Sequence, residues 1–183
     1  KRYKGNQAHA EYLEQMAGKF FDLLQKYHGL GERERLLLRL AAILHDCGKF
    51  ISMSAPGECA YQIIMSTEIL GISHMEREMV ACIVRYNTME LPNFREFDGK
   101  LGNDEYLIVM KLAAILRVCN ALDRSHRQKF ADMKLTIKDS NIVITTAYPD
   151  NITLEKKTLK DKQDFFEEVY GLGFEIKQKK KKQ

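Results

Sequence analysis

Hydrophobic and polar positions in the first part of the chain follow helical spacing. Apolar residues from Tyr12 to Tyr27 recur every three or four positions, Asn6 stands at the expected N-cap, and "HGLG" ends the helix. A second helix is predicted from about Glu32 to Cys47, with Gly48 as a left-handed C-cap. Its last turns read "RLLLRLAAILHDCGKF", an apolar segment that closes on two ionisable residues.

Three further helices are predicted before residue 130. The first begins near Pro56, and Ser73 with Glu76 has the capping-box form that opens the next. The segment "NTMELPNFREFDGK" then interrupts the helical pattern with proline and glycine. Asn103 or Asp104 is expected to cap the last of the three, a long apolar helix that contains "YLIVMKLAAILRVCNALDRS".

The pattern changes after about Lys129. "KLTIKDSNIVITTAY" alternates apolar and polar residues on both sides of a short polar turn, which predicts a β-hairpin. An amphipathic helix is expected around Leu159 to Tyr170, and "GFEIK" would add a third strand. The predicted fold is therefore mainly α: a helical bundle over 1–130, a small α+β piece packed on it over 131–177 (hairpin, helix, strand), and a disordered basic tail over 178–183.

Composition supports one soluble core and gives little information about partners. The chain has 183 residues, is 45% hydrophobic, and carries 29 Lys and Arg against 25 Asp and Glu, with five of the lysines in the closing "KQKKKKQ". Four isolated cysteines are expected to be reduced, and no signal peptide or membrane-spanning run occurs, so a cytoplasmic location is expected. The start at Lys1 suggests a piece of a longer protein.

His45 and Asp46 close the second helix and are the first candidates for chemistry. Small residues at Ala41 and Ala42 leave both side chains free to reach one point beside the helix axis. An imidazole nitrogen and a carboxylate oxygen suit a divalent ion such as manganese, iron, zinc or magnesium, and His9 is the best candidate for a third ligand. The alternative is that His45 caps carbonyl groups at the helix end and that Asp46 pairs with a nearby lysine or arginine.

Several motifs in a fixed order resemble a known family. An early histidine, "HDCGK" and a polar residue on a later helix resemble HD-domain phosphohydrolases. More narrowly, "LAAILHDCGKFIS", "AYQIIMSTEILGIS", "EREMVACIVRYN", "KLAAILRVCNALDRSHRQK" and the closing "VYGLGFEIK" resemble the C-terminal half of the exopolyphosphatase and guanosine pentaphosphate phosphohydrolase family. The resemblance implies an HD-domain-like helical bundle for residues 1–130.

The resemblance also implies a metal site with losses. The family's aspartate before "ALDRS" is here Asn120, and an amide is a weaker ligand that removes a negative charge. Glu58 and Asn87 stand where the family often has histidines. These departures indicate a degenerate site that favours an anion over a cation. The implied metal ligands are His9, His45, Asp46 and Asn120.

Basic residues accompany Asn120 in the predicted helix, with one arginine a turn before it and one a turn after it. We expect two further cations, from "RYN" and "HDCGK", to join them. Guanidinium groups bind phosphate oxygens through forked, charge-assisted hydrogen bonds without a metal. The alternative is that the arginines pair with Asp123, Asp46 or surface carboxylates. The predicted phosphate-binding residues are Lys49, Arg85, Arg117 and Arg124.

The first functional hypothesis is an accessory, non-catalytic domain that binds polyphosphate or guanosine pentaphosphate. The resemblance assigns hydrolysis, with its magnesium, to an N-terminal actin-like phosphatase domain, and the 11 glycines here form no glycine-rich phosphate loop. The parent protein would release orthophosphate from either substrate. Two alternatives are an autonomous metal-dependent HD phosphohydrolase acting on a nucleotide or other phosphate ester, and a dimerisation module. A homodimer is expected, with no membrane and no nucleic-acid partner.

Overall fold

The computed structural model describes residues 7–97 and 101–179 and is mainly α-helical with a small three-stranded sheet, as predicted. The described residues form, in chain order, α1 (Gln7–Leu23), α2 (Gln25–His28), α3 (Glu32–Leu44), a 3₁₀ helix (Cys47–Phe50), α4 (Pro56–Met65), α5 (His74–Arg85), α6 (Asn103–Leu122), β1 (Lys134–Lys138), β2 (Asn141–Thr146), α7 (Thr153–Lys160), α8 (Gln163–Tyr170) and β3 (Gly173–Gln178). No helix in these two ranges is long and apolar enough to cross a membrane.

Helix starts are only partly as predicted. The capping box of α5 is confirmed, because the Ser73 hydroxyl accepts a hydrogen bond from the Glu76 amide and the Glu76 carboxylate accepts one from the Ser73 amide. At the start of α6, Gly102 occupies the N-cap position instead of Asn103 or Asp104. The predicted cap of α1, Asn6, lies outside the described residues.

The end of α3 corrects the prediction for Gly48. The α-helix stops at Leu44, and Gly48 lies inside the following 3₁₀ helix without a left-handed backbone conformation. The physical requirement is a close approach: a β-carbon at Gly48 would lie 1.9 Å from the carbonyl oxygen of Pro56 and 2.5 Å from the amide nitrogen of Ala60. Glycine therefore allows the turn after α3 to pack directly against the start of α4.

The C-terminal piece forms one mixed sheet in the order β1-β2-β3. β1 and β2 make the predicted hairpin, with Lys138 opposite Asn141 and a two-residue turn in which Asp139 and Ser140 have φ of 49° and 58°. β3 is confirmed as a strand and pairs in parallel with β2. The helical segment between β2 and β3 is divided into α7 and α8 instead of the single helix predicted, and β3 extends to Gln178, which the sequence had placed in the tail.

One continuous apolar core joins the helices to the sheet. α6 lies against α1, α3, α5, α7 and α8, and its buried leucines and alanines have almost no solvent exposure. On the sheet side, the ring of Phe174 lies 6.5 Å from Phe20 in α1 and 4.8 Å from Phe166 in α8. Each fully buried large side chain contributes about 1.5–3 kcal/mol, so this shared core fixes the C-terminal piece on the helices. The remainder of the predicted tail, residues 180–183, lies outside the described residues.

Candidate functional site

The ends of three helices bring His9, His45 and Asp123 together. His9 lies in the first turns of α1, His45 follows the last residue of α3, and Asp123 follows the last residue of α6. His9 Nδ1 lies 2.6 Å from Asp123 Oδ2, and His9 Nε2 lies 3.2 Å from His45 Nε2. His45 Nε2 is also 3.1 Å from Asp46 Oδ1. Two of these three contacts join residues more than thirty positions apart in sequence, and the third joins neighbours, and together they build this histidine–aspartate cluster.

The hydrogen-bond partners define which ring nitrogens carry hydrogen. His45 Nδ1 lies 2.7 Å from the Ala42 carbonyl, which can only accept, so this nitrogen is the donor. His9 Nδ1 faces the carboxylate of Asp123 and donates in the same way. Both Nε2 lone pairs then point toward one another, an arrangement that either a shared proton or a coordinated cation satisfies. Burial lowers the pKa of His45 to about 4, so its ring is neutral at pH 7.

Asp46 lies between the histidines and a lysine. Lys49 Nζ is 2.7 Å from Asp46 Oδ1. Burial acts to raise the pKa of Asp46, but the neighbouring His45 ring and the hydrogen bond from Lys49 hold it below the ordinary value. The contacts expected for residues without a metal are therefore present. His45 bonds a carbonyl of α3, and Asp46 pairs with Lys49.

The same geometry also provides three metal ligands. One atom each from His9, His45 and Asp46 lie within 4.8 Å of one another. A ligating histidine usually donates its other N–H to a carboxylate or a carbonyl, and here Asp123 and Ala42 supply those acceptors. Two imidazoles and one carboxylate suit manganese, iron or zinc better than magnesium, which prefers oxygen ligands. The residues present therefore fit a divalent transition metal.

The fourth predicted ligand, Asn120, is half-buried and makes no side-chain hydrogen bond to a residue in the described ranges. The carboxylate that contacts His9 belongs instead to Asp123, one helical turn further along the chain. Asp123 is 1% exposed, so the cluster retains a buried negative charge near the place where the sequence suggested that one was lost. This role of Asp123 is visible only in the folded chain, because the sequence predicted Asp123 only as a possible partner of the arginines.

The turn after α6 is held tightly over the cluster. Asp123 Oδ1 accepts a hydrogen bond from the Gln128 amide at 2.8 Å, and the His126 ring stacks on His9 at 3.8 Å between centroids. Partial burial and then His9 lower the pKa of His126, and the charge of Lys49 acts in the same direction. Ser125 Oγ donates to the buried carboxylate of Glu155 at 2.5 Å. The C-terminal piece therefore fixes the turn that carries Arg124.

The four predicted phosphate-binding residues fall into two groups. Lys49 and Arg124 follow the ends of α3 and α6, next to the histidine–aspartate cluster. The Lys49 side chain is 33% exposed and Arg124 is exposed, and no described carboxylate lies within ion-pair distance of Arg124. Arg124 can therefore turn toward a ligand in solvent, whereas Lys49 is paired with Asp46 and would offer a ligand the N–H donors that Asp46 does not use.

Arg85 and Arg117 have partners inside the protein. Arg85 pairs with Glu58 at 2.8 Å and lies over the rings of Tyr61 and Tyr86. Arg117 donates to the carbonyls of Tyr86 and Met89, and its guanidinium lies 4.3 Å from the ring centre of Phe165. The contacts of Arg117 hold the segment after α5 against α6, and the contacts of both arginines occupy donors that a phosphate would require.

A mainly α-helical domain with a buried histidine–aspartate cluster and a small C-terminal sheet is the class of protein that these observations define. The family model described as "Ppx/GppA phosphatase, domain III" matches residues 1–164, so the chain belongs to this family and is a domain of an exopolyphosphatase-like protein. The resemblance found in the sequence is thereby confirmed. The comparison with curated proteins gave no match.

Proposed function

We propose that this domain binds a phosphate chain at the basic residues beside the histidine–aspartate cluster and holds it for a catalytic domain. Membership of the Ppx/GppA phosphatase family supports a phosphoanhydride hydrolase as the parent protein. The proposed parent reaction releases orthophosphate from polyphosphate or guanosine pentaphosphate, and the proposed partner is an N-terminal actin-like phosphatase domain of the same protein. We further propose that the protein is cytoplasmic and forms a homodimer.

One observation carries this proposal: the partly exposed Lys49, which is paired with Asp46, and the exposed Arg124 lie at two helix ends that His9, His45 and Asp123 hold together. A repeating anion is attracted by a few spaced cations without a closely shaped pocket. Each contact would be a charge-assisted hydrogen bond from a half-exposed or exposed side chain, worth about 1 kcal/mol after solvent screening. Arg85 and Arg117 would act only indirectly, because their guanidinium groups are used within the protein.

Titration of polyphosphate with rising salt tests the proposal. A chain ending at Lys179 removes three of the five closing lysines, while the last strand remains complete. The double variant K49Q/R124Q should lose about tenfold or more in affinity, since two contacts of about 1 kcal/mol are removed. The control K138Q/K156Q makes the same charge change at exposed positions and should change affinity less than threefold. Equal losses in both variants would refute a localised site.

The second candidate function is a metal-dependent phosphohydrolase, favoured by the convergence of His9, His45 and Asp46. A metal held there would activate water for attack on a phosphate ester. His9 and His45 would present neutral Nε2 atoms, and Asp123 would fix the orientation of His9. Against this candidate, Lys49 already donates to Asp46 and Asn120 is neutral.

Metal analysis separates the two candidates. Manganese binding measured by calorimetry should be stoichiometric for the second candidate, and D123N should weaken it about 10–100-fold, as loss of an outer-shell partner does. E32Q, a change at an exposed carboxylate on α3, is the matched control and should leave manganese affinity unchanged. A chain that binds polyphosphate but takes up no manganese would leave only the accessory role.

A further inference from the structure

A cavity lies between α4, α5 and the segment that follows α5, away from the histidine–aspartate cluster. Its volume is about 240 Å³, and three aromatic rings, from Tyr61, Tyr86 and Phe97, form much of its wall. The carboxylates of Glu78 and Glu96 line the same space. Aromatic faces combined with carboxylates are the chemistry that recognises organic cations.

Glu78 is the unexplained group of this cavity. It is 3% exposed and accepts a hydrogen bond from the hydroxyl of Tyr61. Burial raises the pKa of Tyr61, so this hydroxyl remains a neutral donor and does not neutralise the carboxylate. No lysine, arginine or histidine within the described ranges forms an ion pair with Glu78, although a buried carboxylate is costly without one.

Arg85 lines the cavity too, but its charge is already matched. The guanidinium lies 2.8 Å from Glu58 and 5.3 and 5.5 Å from the ring centres of Tyr61 and Tyr86. The guanidinium therefore already occupies a face of each of these two rings, and a further cation would meet the carboxylates of Glu78 and Glu96 and the ring of Phe97. With Arg85 and Glu58 paired, Glu78 and Glu96 leave the cavity negative, which disfavours a phosphate here and favours a ligand of positive charge.

The volume of the cavity limits the size of the group that binds in it, and a neighbouring cavity indicates that the ligand extends further. A volume of 240 Å³ is below the ~300–1,000 Å³ of pockets for drug-sized ligands, so only a small head group fits. A larger cavity of about 900 Å³ shares Pro92 and Glu96 with it, and its other carboxylates, among them Glu90, Asp164 and Glu168, outnumber its cations Arg117 and Lys162. An extended ligand with several positive charges would match both cavities.

We propose that this pair of cavities binds a linear polyamine, with one ammonium group held by Glu78 within the aromatic wall, and the chain continuing past Glu96. The ammonium would donate hydrogen bonds to the Glu78 carboxylate and supply the cation that this buried group lacks within the chain. This inference does not depend on phosphate binding at the histidine–aspartate cluster.

Calorimetry with three probes on the full chain tests the proposal. The expected order of affinity is 1,4-diaminobutane, then butylammonium, then 1-butanol, which has a similar carbon chain but no charge. Ring resonances of Tyr61 and Tyr86 should shift on addition of butylammonium, and this readout needs no substitution. Equal binding of butylammonium and 1-butanol, or unchanged tyrosine resonances, would refute the cation site. Equal binding of 1,4-diaminobutane and butylammonium would refute a polyamine as the ligand.

Two variants locate the site. E78Q keeps the shape of the side chain and removes its charge, and it should lower the affinity for 1,4-diaminobutane about tenfold. E32Q removes the same charge at an exposed position on α3 and should have no effect. Circular dichroism checks that E78Q is folded; if it is not, Y86L serves in its place and should also lower the affinity. A folded E78Q with wild-type affinity would refute the assignment.

Discussion

Glu155 and Lys129 form a buried ion pair whose disruption should destabilise the fold strongly. Glu155 Oε2 lies 2.9 Å from Lys129 Nζ, and the two side chains are 0% and 8% exposed. Ser125 donates to the other carboxylate oxygen, and Lys129 also donates to the Asn151 carbonyl. Through these bonds, α7 holds the turn that follows α6.

Removing the carboxylate leaves the Lys129 charge buried without its partner. Loss of one member of a buried pair costs about 3–5 kcal/mol, so E155A should lower the melting temperature by about 6–20 °C in a chain of this length. The double variant K129M/E155L removes both charges and restores apolar volume, so its stability should return to within about 1 kcal/mol of wild type. Urea unfolding followed by circular dichroism measures all three free energies.

An exposed pair in the same C-terminal piece provides the control. Lys177 and Glu175 lie 3.3 Å apart with both side chains 52% exposed, so E175A should change stability by less than about 1 kcal/mol. The reasoning is wrong if E155A costs no more than E175A, or if the double variant is as unstable as E155A. Burial alone would raise the pKa of Glu155, but hydrogen bonds from Ser125 and Lys129 hold this pKa below its ordinary value. The contribution of the pair to stability should therefore persist at neutral pH and disappear as the pH falls through that pKa.

Three further predictions concern local geometry. G48A should destabilise the fold by about 1–3 kcal/mol in urea unfolding, because the new β-carbon would clash with the Pro56 carbonyl. The Arg33 hydrogen bond lowers the pKa of Glu76 to about 2, so the stability difference between wild type and E76Q should be present at neutral pH and disappear as the pH falls from about 4.5 to 2. S140G should raise stability by about 1 kcal/mol in the same assay, since Ser140 has φ of 58°.

Matched substitutions check the first two of these predictions, and the sign of the effect checks the third. G31A places a β-carbon with its nearest neighbour 3.5 Å away, so it should cost much less than G48A. E32Q alters an exposed carboxylate in the first turn of α3 and should not reproduce the pH dependence of E76Q. A loss of stability in S140G would show that the left-handed backbone at this position is not strained.

Local patterns in the sequence determined most of the secondary structure and the first half of the candidate site. Helical spacing, the capping box of Ser73 and the alternating hairpin depend on neighbours within a few residues, so they can be read along the chain. The pairing of His45 with Asp46 at a helix end is local in the same sense. His28 shows the limit of local patterns, because it stands directly before a glycine turn and yet is 5% exposed and bonded to the Phe21 carbonyl.

Tertiary structure decided which distant groups meet. Asp123 reaches His9 across 114 positions, Arg117 donates to carbonyls of the segment after α5, and Gly48 is required by the approach of α4. None of these contacts has a periodic signature, because a hydrogen bond between distant residues depends on how helices pack and not on spacing within one helix. The sequence by itself indicated most of the elements, the histidines and the four basic residues. Packing of the helix ends determined that Asp123 contacts His9 and which of the basic residues lie beside the cluster.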